Sequence, residues 1–521
     1  MEAAGTGNVK AEDPRAGLLN GGREERLGID EVLAKYAGEF GPWQARQFAL
    51  VSLAWLLDAF HTMVTIFADR EPEWRCVRPG GCGGLGICGL EPGSWEWAGG
   101  PGVSTVAEWG LICGQKYKIG LVQSAFFAGC MLGCGIFGHL SDSFLGRKGS
   151  LIVGCIVNTI LGCLTAFSPS YTIYVLLRIL TGLCTGPMGT TAFLLATEPI
   201  GPSRRAAAGI SVFYFFSAGI IFIALLASCL PFSWRSLYFA SSIPTLAFVL
   251  LILPFLSESP RWHLIRRNPD AALRILRSIA KSNSRSNIPS NVTLALDNGA
   301  EAEAEISPPS IIDVIRSRVT RPRLILSVIT SFFCSIVYYG LTLNAANLDT
   351  NIYLSVIINS VSELPAFTIA AFLIGRFGRR RLTVGTMWLS GVFCVAGAAV
   401  AGGVVRMACG VMGIFGIAAT YNLLLVYTAE LFPTTVRNTA LGCVQQAEQI
   451  GAVVAPMVVV MGGGVTFLVF GVCGVVGGSA GFVHAGDVGS AAVRYYGRDG
   501  GWREGQAIGD WMIPCKLIQC W

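Results

Sequence analysis

The chain has 521 residues, 53% of them apolar and only 13% charged. A soluble protein of this size carries about a quarter of its residues as charge to cover its surface, so a water-soluble fold is excluded and lipid must solvate most of this one. The net charge of +6 is gathered into short Arg/Lys clusters between long uncharged stretches, which reports membrane topology and not nucleic-acid binding.

Residues 1–43 are polar, rich in Gly, Glu and Arg, and lack the apolar core of a cleavable signal, so the first membrane helix serves as its own insertion signal. Apolar runs of roughly 18 to 25 residues, long enough to cross about 30 Å of hydrocarbon, then begin near residues 44, 119, 150, 171, 206 and 236. Six more begin near 323, 351, 382, 404, 438 and 463. The expected fold is therefore all-α: twelve transmembrane helices in two six-helix bundles, 44–256 and 323–484. A polar linker, 257–322, joins them, and an atypical Gly-rich tail, 485–521, follows the last helix.

Basic residues cluster in the connections after helices 2, 4, 8 and 10 and in the central linker, whereas the short connections on the other side offer only Arg235 and Arg406. The positive-inside rule then puts both termini and the linker in the cytosol. The long loop 68–118 lies on the opposite, oxidising side. Its Cys76, Cys82, Cys88 and Cys113 are expected to form two disulfides, in one of three connectivities.

The two bundles repeat. Gly146-Arg147 has a counterpart in Gly378-Arg379, and Glu198 in Glu430; the offset, 378 minus 146 and 430 minus 198, is 232 in both. A duplicated unit with a site between its copies at mid-membrane is a standard transporter plan.

Three motifs sit on the basic side. GHLSDSFLGRKG, 138–149, sets Asp142, Arg147 and Lys148 in a tight turn, where a carboxylate at a helix end acts as a charge latch. SESPRWHLIRR, 257–267, offers Ser259 as a helix cap ahead of Pro260, with Glu258 and Arg261 free for ion pairs. AELFPTTVRN, 429–438, contributes Glu430 and Arg437. The first resembles the signature loop of the major facilitator superfamily, with GRFGRR, 375–380, as its second-half copy, in which Gly375 replaces the usual Asp. The others resemble motifs of the sugar porters and organic cation transporters. The long Cys-bearing loop ending STVAEWGLIC, 104–113, the segment YYGLTLNAANLDTNIYLS, 338–355, and SELPAF, 362–367, resemble the organic cation/carnitine transporters, plant members in particular. The likeness covers roughly 27–477. It implies the major facilitator fold, with gating by Asp142, Arg147, Lys148, Glu198, Glu258, Arg261, Arg379, Glu430 and Arg437.

An ionisable side chain inside a membrane helix costs roughly 2.5 to 3.5 kcal/mol, which makes each one a functional candidate. Asp58 shares a helical face with His61, an acid and an imidazole that suit a proton relay. Glu363 precedes Pro365 by two residues, as in the organic cation transporters. Helix 11 presents Gln445, Glu448 and Gln449 on one polar face. In the superfamily, helices 7 and 10 line the cavity; here they carry Tyr338, Tyr339, Tyr421 and Tyr427, whose ring faces attract quaternary ammonium. Arg178, followed by Gly182 and Gly186, reads as structural.

Asp58, Tyr338, Tyr339, Glu363, Tyr421, Gln445, Glu448 and Gln449 are thus the expected substrate contacts, for a small organic cation of the carnitine, quaternary ammonium or polyamine kind. Protons are the coupling ion that Asp58 and His61 would serve. Sugar or organic anion transport is the alternative within the superfamily, and a membrane receptor the alternative outside it. The four histidines are scattered and no catalytic constellation or metal spacing appears, so no enzyme, cofactor or metal is expected. The chain is expected to act as a monomer in the plasma or vacuolar membrane.

Overall fold

The structure, a computed structural model, describes residues 25–77, 87–91, 93–229, 233–285, 288–295, 311–316, 320–347, 350–400, 402–432, 434–483, 493–496 and 502–505. By length and hydropathy ten of its helical segments qualify as membrane spans. One of these, Cys113–Thr165, is two helices, α2 (Tyr117–Leu140) and α3 (Gly146–Thr165), folded back at a turn. Another helix, α11 (Thr434–Val459), is kept out of that set by its Gln445, Gln446, Glu448 and Gln449. With α1 (Pro42–Ala68), α4 (Tyr171–Thr197), α5 (Pro202–Cys229), α6 (Trp234–Leu251), α7 (Thr320–Leu343), α8 (Ile352–Phe377), α9 (Arg379–Ala399), α10 (Gly403–Leu431) and α12 (Gly463–Val483), twelve long helices result among the described residues. Each begins within about four residues of its expected start, because helix entry is set where an apolar run meets a polar, Gly or Pro boundary.

The helices divide into two bundles, α1–α6 and α7–α12, each around its own core. The bundles meet along α2 with α11 and α5 with α8. The sequence repeat is a structural repeat. Gly146 and Gly378 turn with φ of +75° and +76°, a conformation that costs glycine least, and the Arg that follows each reaches the matching Glu: Arg147 to Glu198 at 3.4 Å and Arg379 to Glu430 at 2.9 Å.

On the basic face the linker and the N-terminal segment build one layer, in which the helix expected after Ser259 is joined by a second linker helix and a short strand pair that the sequence did not announce. Ser259 caps the helix Pro260–Ile265 by accepting from the Arg261 and Trp262 N–H groups. A second helix, Pro269–Ser282, is amphipathic and buries Leu276 and Ile279 against Ile29, Val32 and Leu33. Residues 25–27 add a short strand in parallel to 292–294. These contacts oblige the N-terminal segment and the linker to lie on one side of the bilayer. Accordingly, the sequon Asn291-Val-Thr293 is expected to stay unglycosylated and epitope tags at the N-terminus and in the linker to be reached only from the cytosol; a glycan on Asn291, read as a shift on glycosidase treatment, would overturn the orientation.

The opposite face carries the long loop. Strands Trp74–Cys76 and Trp95–Trp97 pair antiparallel, Cys88 and Cys113 form a disulfide, and Cys76 is also disulfide-bonded; Cys82 lies outside the described residues. The helix Thr105–Trp109 docks this loop onto the first bundle, with the Trp109 ring against Tyr171, Tyr174 and Trp234. Glu108 accepts from Trp234 Nε1 at 2.8 Å and pairs with Arg235. Its burial works to raise the pKa, but these hydrogen bonds outweigh it and hold the carboxyl below the ordinary range. Beyond α12, where no periodic pattern was expected, residues 493–496 and 502–505 pair as an antiparallel hairpin; the rest of the tail lies outside the described residues.

Candidate functional site between the bundles

Aromatic and acidic side chains from both bundles converge at mid-membrane. On α1, Trp55 and Asp58 share a face at a spacing of three; on α5, Phe213 and Ser217, and on α8, Glu363 and Phe367, share faces at a spacing of four. The rings form a continuous seam. Trp55 meets Phe213 at 5.3 Å between centroids, Phe213 meets Tyr421 of α10 and Phe367 of α8, Tyr421 meets Tyr338 of α7 at 5.2 Å, and Tyr339 meets Phe127 of α2 at 4.7 Å. First-bundle rings thus meet second-bundle rings at Phe213–Tyr421, Phe213–Phe367 and Phe127–Tyr339.

The acids lie along this seam. Glu363 is 1% exposed; Ser217, from the other bundle, donates to its Oε2, and the Tyr338 hydroxyl faces the same carboxylate. Glu448 of α11 is half-buried and accepts from the Tyr421 hydroxyl at 3.3 Å. Asp58 lies against Gly189 of α4 and makes no hydrogen bond among the described residues. Gln449, half-buried, and Gln445, exposed, sit on the same helix as Glu448 without a bond to the seam among those residues. Tyr427 lies away from it, a turn and a half along α10 beside Leu424 and Ser327.

Asp58 and His61 are not joined by a hydrogen bond in this conformation. The His61 ring turns to α6, where its Nε2 lies 3.3 Å from Thr245 Oγ1, and its carbonyl accepts from Arg178. Arg178 is taken up within the first bundle, bonded to the His61 carbonyl and Gln123 with its guanidinium 4.1 Å from the Phe126 ring centre, in keeping with a structural role. The seam is therefore acidic, with no Lys or Arg among the residues joined in it. Trp55, Phe127, Phe213, Ser217 and Phe367 were not singled out from the sequence, since an aromatic or Ser in an apolar run carries no signal of which way it faces.

Of the residues expected to gate, six belong to one network on the basic face of the first bundle. Arg147, nearly buried, pairs with Asp142 at 2.6 Å in its own turn and with Glu198 of α4. Glu258 accepts the N–H groups of Arg147, Lys148 and Ser259, and Ser259 donates to Glu198. Burial pushes the Glu258 carboxyl up against the pull of these three N–H groups. The Lys148 ammonium caps the Leu256 carbonyl at 2.7 Å. Arg261 pairs with Asp30, which also holds Arg205 at 2.7 Å. Asp30 is a further member that the sequence reading missed, although Ile29, Val32 and Leu33 around it carry helical spacing. In the second bundle Arg379 pairs with Glu430, and Arg437 Nε reaches the Phe432 carbonyl at 3.4 Å.

These basic-face pairs each close within one bundle. The bundles are tied instead at mid-membrane and at the loop face, where Phe67 stacks on Tyr353 at 5.6 Å, Arg70 donates to the Tyr353 hydroxyl, and Gly120 of α2 fits against Pro456 and Val460 of α11. The seam is shut off from the loop side.

Two pseudo-equivalent bundles enclosing a polar-lined site, shut at one face, define a multi-pass membrane transporter of the secondary type. Residues 96–485 match the family described as Sugar (and other) transporter. The chain is 58% identical to "Organic cation/carnitine transporter 4" of Arabidopsis thaliana over 88% of each chain, and 35% identical to "Organic cation/carnitine transporter 3" of that plant over 87% of this chain and 89% of the relative. It is 30% identical to "Organic cation transporter protein" of Drosophila melanogaster, covering 84% and 87%. Among solved structures, the xylose transporter XylE from E. coli in an inward-open conformation shares the fold, with a TM-score of 0.60 at 16% identity over 85% of this chain and 96% of that one. The chain belongs to the organic cation/carnitine transporter family within the sugar (and other) transporters.

Proposed function

We propose that the chain carries a small organic cation, of the quaternary ammonium, carnitine or polyamine kind, by alternating access of the seam between its bundles. The observation that carries this is the convergence of Asp58 from the first bundle with Glu363, Glu448 and the Tyr338, Tyr339 and Tyr421 rings from the second. A buried carboxylate is costly unless something compensates it, and a desolvated cation over an aromatic face gains about 2 kcal/mol. An anion carrier would need Arg or Lys here, and a neutral sugar site would have no use for three acids. Tyr338, Tyr339 and Tyr421 then supply ring faces, Glu363 and Glu448 the charge, and Gln445 and Gln449 the polar flank of α11. The ion pairs of the basic face hold each bundle rigid while the two rock about the seam.

Across a plasma membrane with a negative cytosol, the potential alone favours cation entry by about 2.3 kcal/mol per charge per 100 mV, roughly 50-fold. Across a vacuolar membrane the potential opposes loading, and proton exchange would have to drive it, with Asp58 and His61 as the groups to exchange the proton. Uptake of labelled tetraethylammonium, carnitine and a polyamine, measured in a host lacking its own carrier with and without a proton ionophore, is expected to show saturable cation uptake. Saturable uptake of an anion or a sugar in preference would overturn the assignment.

A further inference from the structure

We propose that Ser217 is the positioning residue through which the first bundle senses whether the site is occupied. This rests on the cation reading above. The α5–α8 crossing at mid-membrane is made by two side-chain hydrogen bonds, Tyr214 Oη with Thr368 Oγ1 at 2.7 Å and Ser217 Oγ to Glu363 Oε2, together with the packing of Phe213 and Tyr214 on Phe367. Of these contacts only the Ser217 bond ends on a charge, and that charge belongs to the substrate site. Hydrogen bonds to an ionised group are the strong ones, and they weaken as the charge is compensated. In the empty carrier Glu363 has no cation, so Ser217 holds α5 to α8 at full strength. A cation against Glu363 draws on the same carboxylate and loosens the bond. The other ties, Gly120 of α2 packed against Pro456 and Val460 of α11 and Phe67 and Arg70 against Tyr353 at the loop face, involve no acid of the site. Occupancy is thereby converted into a difference in how firmly the two bundles are tied, which is what a ligand must do to shift a conformational equilibrium.

The consequence is kinetic. Return of the empty carrier is retarded by the Ser217 bond and return of the loaded carrier is not, so exchange outruns net uptake. With tetraethylammonium in vesicles carrying the full chain, the wild type is expected to show exchange about tenfold faster than net uptake, the weight of one hydrogen bond to a charged group. Ser217→Ala is expected to bring that ratio close to one, and Ser217→Thr, which keeps the hydroxyl, to retain it. Should the alanine variant fail to reach the membrane, Ser217→Cys, of similar volume and a weak donor, is expected to lower the ratio as well. A mere packing defect lowers both rates together and leaves their ratio alone. A ratio near one in a wild type that transports, or an unchanged ratio in a variant lacking the hydroxyl, overturns the role of Ser217; absence of any tetraethylammonium transport by the wild type overturns the cation reading beneath it.

Discussion

Glu363→Gln is expected to lower kcat/KM for a permanent cation by about 10- to 100-fold while the protein still reaches its membrane. The substitution keeps the shape of the side chain and its ability to accept from Ser217, and removes only the charge. Unit charges about 4 Å apart attract by about 4 kcal/mol at the effective dielectric of about 20 that suits protein sites. Desolvation of the pair returns part of that, and what remains, about 1.4 to 2.8 kcal/mol, is the stated loss. Glu448→Gln is expected to cost less, about 3- to 10-fold, because Glu448 as a residue is half-buried where Glu363 is 1% exposed. Initial rates normalised to protein in the membrane decide this. Unchanged kinetics in both variants would remove the acids from the site and reopen the sugar and anion alternatives.

Gly182→Val is expected to abolish the folded protein, lowering the yield of monodisperse material in detergent at least tenfold. A Cβ at Gly182 would stand 2.0 Å from the Phe126 carbonyl oxygen, and one at Gly129 2.1 Å from the Ile179 carbonyl oxygen, so α2 and α4 cross backbone to backbone. Neither neighbour is the end of a flexible side chain that swings away. Overpacking in a soluble core typically costs 1 to 3 kcal/mol, and here the whole crossing of two membrane helices must open, with no hydrophobic force to draw them back together. Gly135→Ala, on α2 but facing open space, is expected to leave the yield unchanged. A well-folded Gly182→Val protein would show that the crossing is looser than its geometry.

Much of this protein is determined by sequence alone, for a physical reason. Lipid cannot hydrogen-bond a peptide group, so each apolar run has to form a helix, and its ends are marked wherever polar residues, Gly or Pro resume. That is why all twelve starts were legible, and why Gly146 and Gly378, equivalent turns that both take positive φ, announced the repeat together with their Arg–Glu pairs. The acids of the seam were legible too, because a carboxyl group in hydrocarbon is too costly to stand there by chance. Direction around a helix was not. Inside a membrane both the core and the lipid face of a helix are apolar, so periodicity does not separate them, and nothing in the sequence aimed Trp55, Phe213 and Phe367 at the tyrosines or Ser217 at Glu363. Spacing put Asp58 and His61 on one helical face, and packing alone turned the imidazole to Thr245. On the basic face, Ile29, Val32 and Leu33 bury their side chains in one cluster with Leu276 and Ile279 of the helix Pro269–Ser282, far away in sequence. Contacts of that range depend on the two chain segments being brought to one place by the bundles between them, and only the tertiary structure decides that.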